Sequence, residues 1–242
     1  MQVIKLSATD STNTYLKNLS VREEVPDFTV VYAVHQKAGR GQPGNKWVSE
    51  KGKNLTFSVL KRLEGLPARR HFLLNILASL AVFDALQILG IPDIKIKWPN
   101  DIMSGHKKIC GILIENQMQG QQIPQCIMGI GLNVNQLEFK TLDHASSLKA
   151  ITGKEFDIQE LLLSLLSLLR GYLGQTGPES YPKHLQAYSK HLFLKDKSAT
   201  FHRPDGSSFE GFIRGIYPDG RLKIELEGTP EAFGFKEVLY SY

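Results

Sequence analysis

The sequence predicts an α+β fold in which helices pack on a mixed β-sheet, followed by a small SH3-like β-barrel. Short β-branched and aromatic runs alternate with glycine-containing loops, as expected of strands in a sheet. The segment 72–89 is apolar almost throughout, which is typical of a helix covered by a sheet. Two Pro-Asp-Gly turns then divide the end of the chain into short strand runs. We therefore expect a larger domain over residues 1–190 and a barrel domain over residues 191–242.

Composition limits the class of protein. The chain has 242 residues, of which 42% are hydrophobic and 22% are charged, values close to the globular average that exclude global disorder. The net charge of +5 contains no long block of one sign, so it permits an anionic substrate without requiring nucleic acid. Cys110 and Cys126 lie in no metal-binding pattern, and we expect both to be reduced and buried.

Targeting signals are not evident in the sequence. The first ten residues contain no apolar signal segment, and we expect a cytoplasmic protein. The apolar segment 72–89 carries Asn75, Ser79, Asp84 and Gln87, so we expect a buried helix and no association with a membrane.

The elements follow from local patterns. Polar residues 10–13 are suited to cap a short helix, and Asp157 with Glu160 forms an N-cap and N3 pair that opens a leucine-rich helix. The segment 117–124 is predicted to be a plain hairpin connection. The predicted strands of the first domain are 2–6, 28–35, 54–60, 94–98, 108–115 and 125–133. The last two contain internal glycines, Gly111, Gly129 and Gly131, which indicate that another group approaches the backbone closely there. The other predicted helices are 72–89, 157–173 and 178–188. The predicted barrel strands are 199–201, 209–213, 221–226 and 237–240.

A glycine-rich stretch at residues 39–47 joins two of the predicted strands. Glycine is costly to order and is tolerated where a ligand must approach the backbone or where φ is positive. Successive backbone N–H groups can form a nest for an anion, to which Arg40 and Lys46 add full charges. The other interpretation is an ordinary solvated hairpin, because short glycine patterns have many false matches.

Four polar clusters lie at the ends of predicted strands, at residues 11–13, 36–47, 97–101 and 108–111. If the strands form one sheet, these clusters converge on a single cleft. Its cations outnumber its one carboxylate, Asp101, and this excess suits a polyphosphate. The cations are Arg40, Lys46, Lys97 and Lys108.

Other chemistries are poorly supported. The chain contains no GxxxxGK[ST] P-loop, no HExxH and no GxSxG. Residues 39–44 match GxGxxG formally, but no helix is predicted to follow, so a dinucleotide-binding fold is not expected. The seven histidines are scattered along the chain, which leaves Ser-His-Asp catalysis without an evident base.

Five motifs in the order found here resemble those of the biotin protein ligases, specifically the catalytic and C-terminal domains of the bifunctional ligase–repressors. The motif KWPND is matched at every position, and the others are matched in part. In chain order, residues 10–13 resemble DSTN, 39–47 resemble GRGRxGRxW, 97–101 match KWPND, 108–115 resemble KxxGILxE and 129–135 resemble GxGxNV.

The resemblance implies a two-step ligase that uses biotin and ATP with Mg²⁺. Biotin is activated as biotinyl-5′-AMP with release of pyrophosphate, and the biotinyl group is then transferred to a lysine of a biotin carboxyl carrier domain. Mg²⁺ is expected to arrive with ATP, without side-chain ligands assigned. Similar ligases often pair through the central sheet, so a homodimer is an expectation.

The resemblance also assigns roles to individual residues. Biotin is expected to contact Ser11, Thr12, Asn13, Gln36, Arg40, Gly41, Gln42, Lys108 and Gly111. ATP and the adenylate are expected to contact Arg40, Asn45, Trp47, Lys97, Asn100 and Asn133. The residues expected to act in catalysis are Arg40, Lys108 and Asp101. The glycine-rich stretch is expected to be a lid that is disordered when empty and ordered over the adenylate.

The sequence departs from the family pattern in two places. Gln42 and Asn45 stand where the family often has arginines, and Pro43 follows Gln42. The first motif begins at residue 10, so we expect no helix-turn-helix domain and no DNA partner. Two alternatives remain open: a lipoate or octanoate ligase or transferase of the same fold, and a non-enzymatic module that binds nucleic acid or a carrier protein.

Overall fold

The computed structural model of the chain describes residues 1–139 and 142–241. Within these ranges the chain forms a seven-stranded mixed sheet, a five-stranded antiparallel sheet and a short two-stranded hairpin. The strands of the large sheet are β1 (Val3–Leu6), β2 (Thr29–Ala33), β5 (Leu55–Pro67), β6 (Ile94–Lys97), β7 (Asp101–Ser104), β8 (Lys107–Gln119) and β9 (Gln122–Leu132). The hairpin consists of β3 (Gly39–Arg40) and β4 (Lys46–Trp47). The small sheet contains β10 (Ser198–His202), β11 (Ser208–Ile216), β12 (Leu222–Leu226), β13 (Thr229–Phe233) and β14 (Leu239–Tyr240).

The large sheet has the order β1-β2-β5-β9-β8-β7-β6. β1 runs parallel to β2, and every other neighbouring pair is antiparallel. The helices are α1 (Thr12–Arg22), α2 (Phe72–Ile88), α3 (Leu148–Thr152), α4 (Ile158–Leu173) and α5 (Tyr181–Lys190). The predicted fold class is confirmed.

The two faces of the large sheet are covered by different helices. Successive residues of a strand point to opposite faces. Val30 of β2 belongs to the main core, which includes α2 and α4, whereas Val31 belongs to a smaller cluster with Leu16 of α1. α1 therefore packs on one face of the sheet and α2 with α4 on the other.

Helix α2 is enclosed on nearly all sides by the sheet, α4 and α5. The segment Ala68–Ile88 is long and apolar enough to cross a membrane by length and composition, but 72% of its most apolar window is buried inside the molecule. The prediction of a buried helix is confirmed. The predicted N-cap is also confirmed, because Asp157 accepts hydrogen bonds from the backbone N–H groups of Gln159 and Glu160 at the start of α4.

The small sheet is docked on the large domain through the turn at residues 217–220. Trp98 Nε1 donates a hydrogen bond of 2.8 Å to the Gly220 carbonyl, and the Tyr181 hydroxyl donates to the Pro218 carbonyl. Gly220 lies against Phe72, the first residue of α2. Buried residues of both sheets form one continuous hydrophobic core. The domain boundary at residues 190–191 stays a prediction.

Several elements differ from the sequence prediction. The hairpin connection at 117–124 is wrong in extent: β8 and β9 continue to Gln119 and Gln122, which pair with each other and leave a two-residue turn. Glutamines at the strand ends carry no apolar alternation, and Gly120, at φ 58°, supplies the left-handed turn residue. Strands β7 and β13 and helix α3 were not predicted; each has only four or five residues, and none shows a run of alternating or β-branched residues as clear as that of Ile94–Lys97.

Candidate active site

A cavity of about 730 Å³ lies beside the face of the large sheet that carries α1 and extends to the small sheet. All four polar clusters contribute to its lining, as expected from strand ends that converge. Fourteen of the fifteen predicted site residues line it: Ser11, Thr12, Asn13, Gln36, Arg40, Gly41, Gln42, Asn45, Trp47, Lys97, Asn100, Asp101, Lys108 and Gly111.

One end of the cavity is polar and uncharged. Ser11 caps α1, and the Thr12 backbone N–H and hydroxyl both donate to Gln36 Oε1, at 2.8 and 3.2 Å. Ser58 of β5 lies beneath them, with its Oγ 2.7 Å from Thr12 Oγ1 and 2.5 Å from Asn13 Oδ1. Ser58 has one hydroxyl proton, so one of these two acceptors receives it at a time. The arrangement offers amide and hydroxyl groups to a neutral polar ligand.

Three glycines form the floor of the cavity where other side chains would block it. A Cβ at position 129 would lie 2.9 Å from Asn13 Cγ, and a Cβ at position 131 would lie 2.6 Å from Trp47 Cζ2. Gly111 of β8 is directly opposite Gly131 of β9 in the register. The sequence interpretation that these strand glycines mark a close approach of other groups is confirmed.

The glycine-rich stretch forms a hairpin over the cavity. β3 and β4 pair Arg40 with Lys46, and the Asn45 backbone N–H donates 2.8 Å to the Gln42 carbonyl. Pro43 and Gly44 occupy the two central positions of this turn, and Gly44 has a φ of 92°, a pattern typical of a type II turn. Pro43 therefore helps to shape the loop between Gln42 and Asn45, the two positions at which the family often has arginine. Closure of this loop over a ligand stays a prediction.

Lys108 projects into the cavity because of an irregularity in β8. Ile102 pairs with Cys110 but Met103 pairs with Lys108, so Ile109 is an extra residue in the ladder. Strict alternation would place Lys108 and Gly111 on opposite faces, whereas the Lys108 ammonium lies 3.4 Å from where a Cβ of residue 111 would be. The bulge turns the Lys108 side chain toward the glycine floor.

The Lys108 ammonium has two electrostatic neighbours. Its Nζ lies 2.7 Å from Asp101 Oδ1, and it is 5.8 Å from the centroid of the Trp47 ring. Both side chains of the ion pair remain partly exposed, at 35% and 20%. The pair therefore holds a cation in place at the cavity while leaving it accessible to an anionic ligand.

Arg40 is held by a carboxylate that the sequence interpretation did not assign. Its Nη2 lies 2.6 Å from Glu115 Oε2, and Asn13 Nδ2 donates to the same oxygen at 2.8 Å. Glu115 thus joins the glycine-rich loop to the uncharged end of the cavity.

The remaining predicted residues are placed as follows. Trp47 lies over Gly131, and its Nε1 is buried without a hydrogen-bond partner among residues 1–139 and 142–241. The Asn100 amide donates to the Ile112 carbonyl. Asn133 is buried and does not line the cavity; its Nδ2 donates 3.0 Å to the Ser146 carbonyl. A contact between Asn133 and the adenine stays a prediction.

The cysteine near this site does not supply a nucleophile. Cys110 is free and buried, and its burial raises the pKa of its thiol far above the ordinary value, although the nearby Lys108 opposes this shift. The thiol stays protonated at neutral pH. Both cysteines are free and buried, as predicted.

The part of the chain that forms most of the cavity also matches a known protein family. The biotin/lipoate A/B protein ligase family matches residues 6–133, which carry most of the cavity lining. The chain belongs to this family.

Individual relatives of this ligase family cover nearly the whole chain. The bifunctional ligase/repressor BirA of Bacillus subtilis is 34% identical over 237 residues, which span 94% of this chain and 70% of that protein. The biotin–acetyl-CoA-carboxylase ligase of Mycobacterium tuberculosis is 28% identical over 242 residues, spanning 99% of this chain and 89% of its own. The solved biotin protein ligase from Aquifex aeolicus in complex with biotin and ATP is similar with a TM-score of 0.82 and 27% identity, covering 99% of this chain and 98% of that one.

The sequence interpretation missed three parts of the site in this family member. Ser58 carried a weak signal, a polar residue in an otherwise apolar strand. Glu115 is the last residue of the KxxGILxE resemblance but had no assigned role. The wall from the small sheet carried no signal, because distant segments supply it; its residues are Pro204, Phe235, Lys236, Val238, Leu239 and Tyr240.

Proposed function

We propose that this chain is an ATP-dependent biotin ligase that forms biotinyl-5′-AMP and transfers the biotinyl group to a lysine of a biotin carboxyl carrier domain. One observation carries the proposal: a single cavity joins an uncharged polar end, at Thr12, Asn13 and Gln36, to two cations, Arg40 and Lys108. Membership of the biotin/lipoate ligase family supports the same reaction class. The relatives named above supply the choice of biotin and of a carboxylase as acceptor.

The shape and chemistry of the cavity suit the proposed substrate. Biotin has an uncharged ureido ring at one end, with N–H donors and a carbonyl acceptor, and a carboxylate at the other. The hydroxyl of Thr12 and the amides of Asn13 and Gln36 can satisfy the ring without any charge. The carboxylate can then reach the two cations that line the cavity, Arg40 and Lys108.

The first reaction step brings two anions together. A carboxylate oxygen of biotin forms a bond to the α-phosphorus of ATP, and the bond from that phosphorus to the pyrophosphate oxygen breaks. Arg40 and Lys108 oppose the repulsion between the reactants and stabilise the charge that builds on the phosphoryl oxygens. Loss of either cation is expected to cost about 2.7–4 kcal/mol of transition-state stabilisation, as for a single preorganised donor to an oxyanion.

The second step requires an uncharged acceptor amine. The lysine of the carrier domain loses a proton, attacks the carbonyl carbon of the mixed anhydride and releases AMP. Asp101 is proposed to orient the acceptor ammonium or to accept its proton. Its ion pair with Lys108, the cation proposed to bind the carboxylate of biotin, supports this role.

The nucleotide side of the site involves residues of the loop and of the KWPND segment. Gln42 and Gly41 would follow the biotin tail and phosphate, and Asn45, Trp47, Lys97 and Asn100 would contact ATP. Mg²⁺ would enter bound to the triphosphate, whose oxygens are ligands that it prefers. A cytoplasmic location and a homodimer complete the proposal.

Biotin-dependent exchange of labelled pyrophosphate into ATP tests this function. We expect exchange that requires biotin and is absent with lipoate or octanoate. Exchange supported by lipoate or octanoate but not by biotin would assign the chain to the lipoate branch of the family. A folded protein that catalyses no exchange with any of the three acids would leave the binding-module interpretation.

A matched pair of lysine variants shows whether this cavity performs the exchange. Lys108→Ala is expected to lower the exchange rate about 100- to 1000-fold, the range for one lost oxyanion donor. Lys107→Ala removes the adjacent exposed cation, whose Nζ donates to the Asp143 carbonyl, and is expected to change the rate less than about twofold. Equal losses in the two variants would contradict the assignment of the site.

A further inference from the structure

The Glu115 carboxylate is a junction between the two halves of the cavity. Its Oε2 accepts from Asn13 Nδ2 at 2.8 Å and from Arg40 Nη2 at 2.6 Å. Asn13 lies at the start of α1 and Arg40 lies in β3, so neither contact follows from a shared element. One carboxylate oxygen, on a side chain of β8, therefore connects the uncharged end of the site to the glycine-rich loop.

Glu115 is the nearer of two acceptors that set which way the Asn13 amide faces: Asn13 Nδ2 donates to Glu115 Oε2 at 2.8 Å and to the Leu113 carbonyl at 3.4 Å. A carboxylate only accepts hydrogen bonds, so the NH₂ group of Asn13 must point toward Glu115. The other side of the amide, Oδ1, lies 2.5 Å from Ser58 Oγ, and the side chain rests on Gly129. Rotating the amide by 180° would direct its oxygen at a carboxylate and its NH₂ at the Ser58 hydroxyl. The observed orientation therefore places the Asn13 oxygen on the Ser58 side, against the glycine floor of the cavity.

Glu115 also places the Arg40 guanidinium. The Arg40 side chain is 46% exposed and extends from a two-residue strand, so the loop by itself leaves it considerable freedom. An ion pair between exposed groups contributes little to stability. The effect of this ion pair is instead on the position of Arg40, because it keeps the guanidinium at the rim of the cavity before an anionic ligand arrives.

We propose that Glu115 is a positioning residue of the biotin site: it orients the Asn13 amide for the uncharged end of biotin and holds Arg40 ready for the carboxylate. This inference rests on the proposed function, since it takes biotin as the ligand. Glu115 does not touch the reacting atoms in this arrangement; it acts through Asn13 and Arg40. Its side chain is 27% exposed, so its replacement leaves no buried cavity.

The test measures biotin affinity without ATP, by titration calorimetry, and the pyrophosphate exchange rate at saturating biotin and ATP. Glu115→Gln keeps the size of the side chain but can donate as well as accept, so only the longer contact with the Leu113 carbonyl still favours the observed orientation of the Asn13 amide. We expect its dissociation constant for biotin to rise about tenfold, with a saturated exchange rate within about threefold of the unaltered protein. Glu115→Asp retains a charged acceptor and is expected to recover part of the affinity.

Two controls distinguish positioning from a general effect. Glu64→Gln changes an exposed carboxylate of β5 outside the cavity and is expected to leave biotin affinity unchanged. In an Asn13→Ala background, Glu115→Gln is expected to weaken biotin binding clearly less than it does in the unaltered protein, because the contact through the Asn13 amide is gone and only the contact with Arg40 remains.

The outcomes separate this inference from the proposed function. If the unaltered protein binds no biotin, the function fails. If the unaltered protein binds biotin and folded Glu115→Gln binds it equally well, the positioning role fails. A full tenfold effect of Glu115→Gln in the Asn13→Ala background overturns the proposed orientation of the Asn13 amide. If Glu115→Gln does not fold, the same comparison is made with Glu115→Ala, which removes the acceptor, and unchanged biotin affinity in that variant counts against the role.

Discussion

Three positions in the central strands require glycine because there is no room for a side chain, and not because of their backbone conformation. Gly111, Gly129 and Gly131 have no φ in the left-handed region, so other residues could adopt their backbone. What excludes a side chain is the approach of Asn13 and Trp47 to the strand surface. The sequence indicated a close approach at these positions, but it did not indicate what approaches.

Gly131→Ala is therefore expected to displace Trp47. A Cβ at this position would lie 2.6 Å from Trp47 Cζ2, and the loop that carries Trp47 can move more easily than β9. We expect altered tryptophan fluorescence and about tenfold weaker ATP binding, with a loss of at most about 1 kcal/mol in the free energy of unfolding.

Gly171→Ala is the matched control for this prediction. Gly171 lies in α4, where an added Cβ meets no atom within 4 Å, and alanine in a helix is favoured by about 0.5–1 kcal/mol. It should stabilise the protein slightly and leave fluorescence and ATP binding unchanged. Unaltered fluorescence and ATP affinity in Gly131→Ala would show that Trp47 does not need this floor.

At the scale of elements, the glycine-rich hairpin and the bulged strand β8 position the two cations. The bulge at Ile109 places Lys108 over Gly111, contrary to strict alternation along the strand. Bulges depend on the pairing of neighbouring strands, so one strand's sequence does not reveal them. The hairpin, in contrast, is consistent with its Pro43-Gly44 turn, which local sequence does indicate.

Trypsin cleavage tests the lid function of the hairpin. Arg40 and Lys46 are both exposed, and both lie within the loop. If the loop closes over biotinyl-5′-AMP, cleavage after these residues should slow at least about tenfold when biotin and ATP are both present. Mass spectrometry of the fragments gives the rate at each site.

Cleavage after Lys51 supplies the internal control for the lid. Lys51 is exposed in the turn that follows the loop and does not line the cavity. Its rate should be the same with and without ligands. Equal protection at Lys51 would indicate general stabilisation, and no protection at Arg40 and Lys46 would argue against a lid.

At the scale of the whole molecule, the small sheet completes the active-site cavity and shares the hydrophobic core of the large domain. Lys236 Nζ donates 3.0 Å to the Pro43 carbonyl, so the small sheet also touches the glycine-rich hairpin. Docking relies on the turn at 217–220, where the Gly220 carbonyl accepts from Trp98. Trp98 precedes the Pro99-Asn100-Asp101 segment, which lines the cavity. The hydrogen bond from Trp98 to Gly220 therefore links the docked turn of the small sheet to the site.

The two Pro-Asp-Gly turns allow docking to be tested with one type of substitution. Gly220 and Gly206 have similar positive φ values, 92° and 86°, but a Cβ at 220 would lie 2.6 Å from Phe72 Cβ while one at 206 meets nothing within 4 Å. Alanine costs about 1 kcal/mol at either turn for the left-handed backbone. Only Gly220→Ala adds an overpacking cost of about 1–3 kcal/mol.

Denaturant unfolding of the two variants gives the comparison. Gly220→Ala should lose about 1–3 kcal/mol more free energy of unfolding than Gly206→Ala, in a transition that both sheets share. Similar losses in the two variants would mean that the turn at 217–220 does not stabilise the docking of the small sheet.

The sequence by itself determined the fold class, most of the longer elements and the types of residue at the site. Local spacing placed Arg40, Lys108 and the uncharged cluster at 11–13 at strand ends or helix caps, and the family resemblance singled them out among the polar residues there. The roles assigned to them through the family resemblance stay predictions until the substitutions above are measured.

Only the tertiary structure decided which of these groups meet. Glu115 is a partner of both Asn13 and Arg40 because α1 and the glycine-rich hairpin pack beside β8, which brings together residues that lie 75 to 102 positions apart in the chain. The cavity lining contributed by the small domain likewise depends on docking of that domain, and the direction of the Lys108 side chain depends on the register between β7 and β8. Periodicity reports the face on which a side chain lies, whereas the identity of its neighbour is set by packing between distant segments.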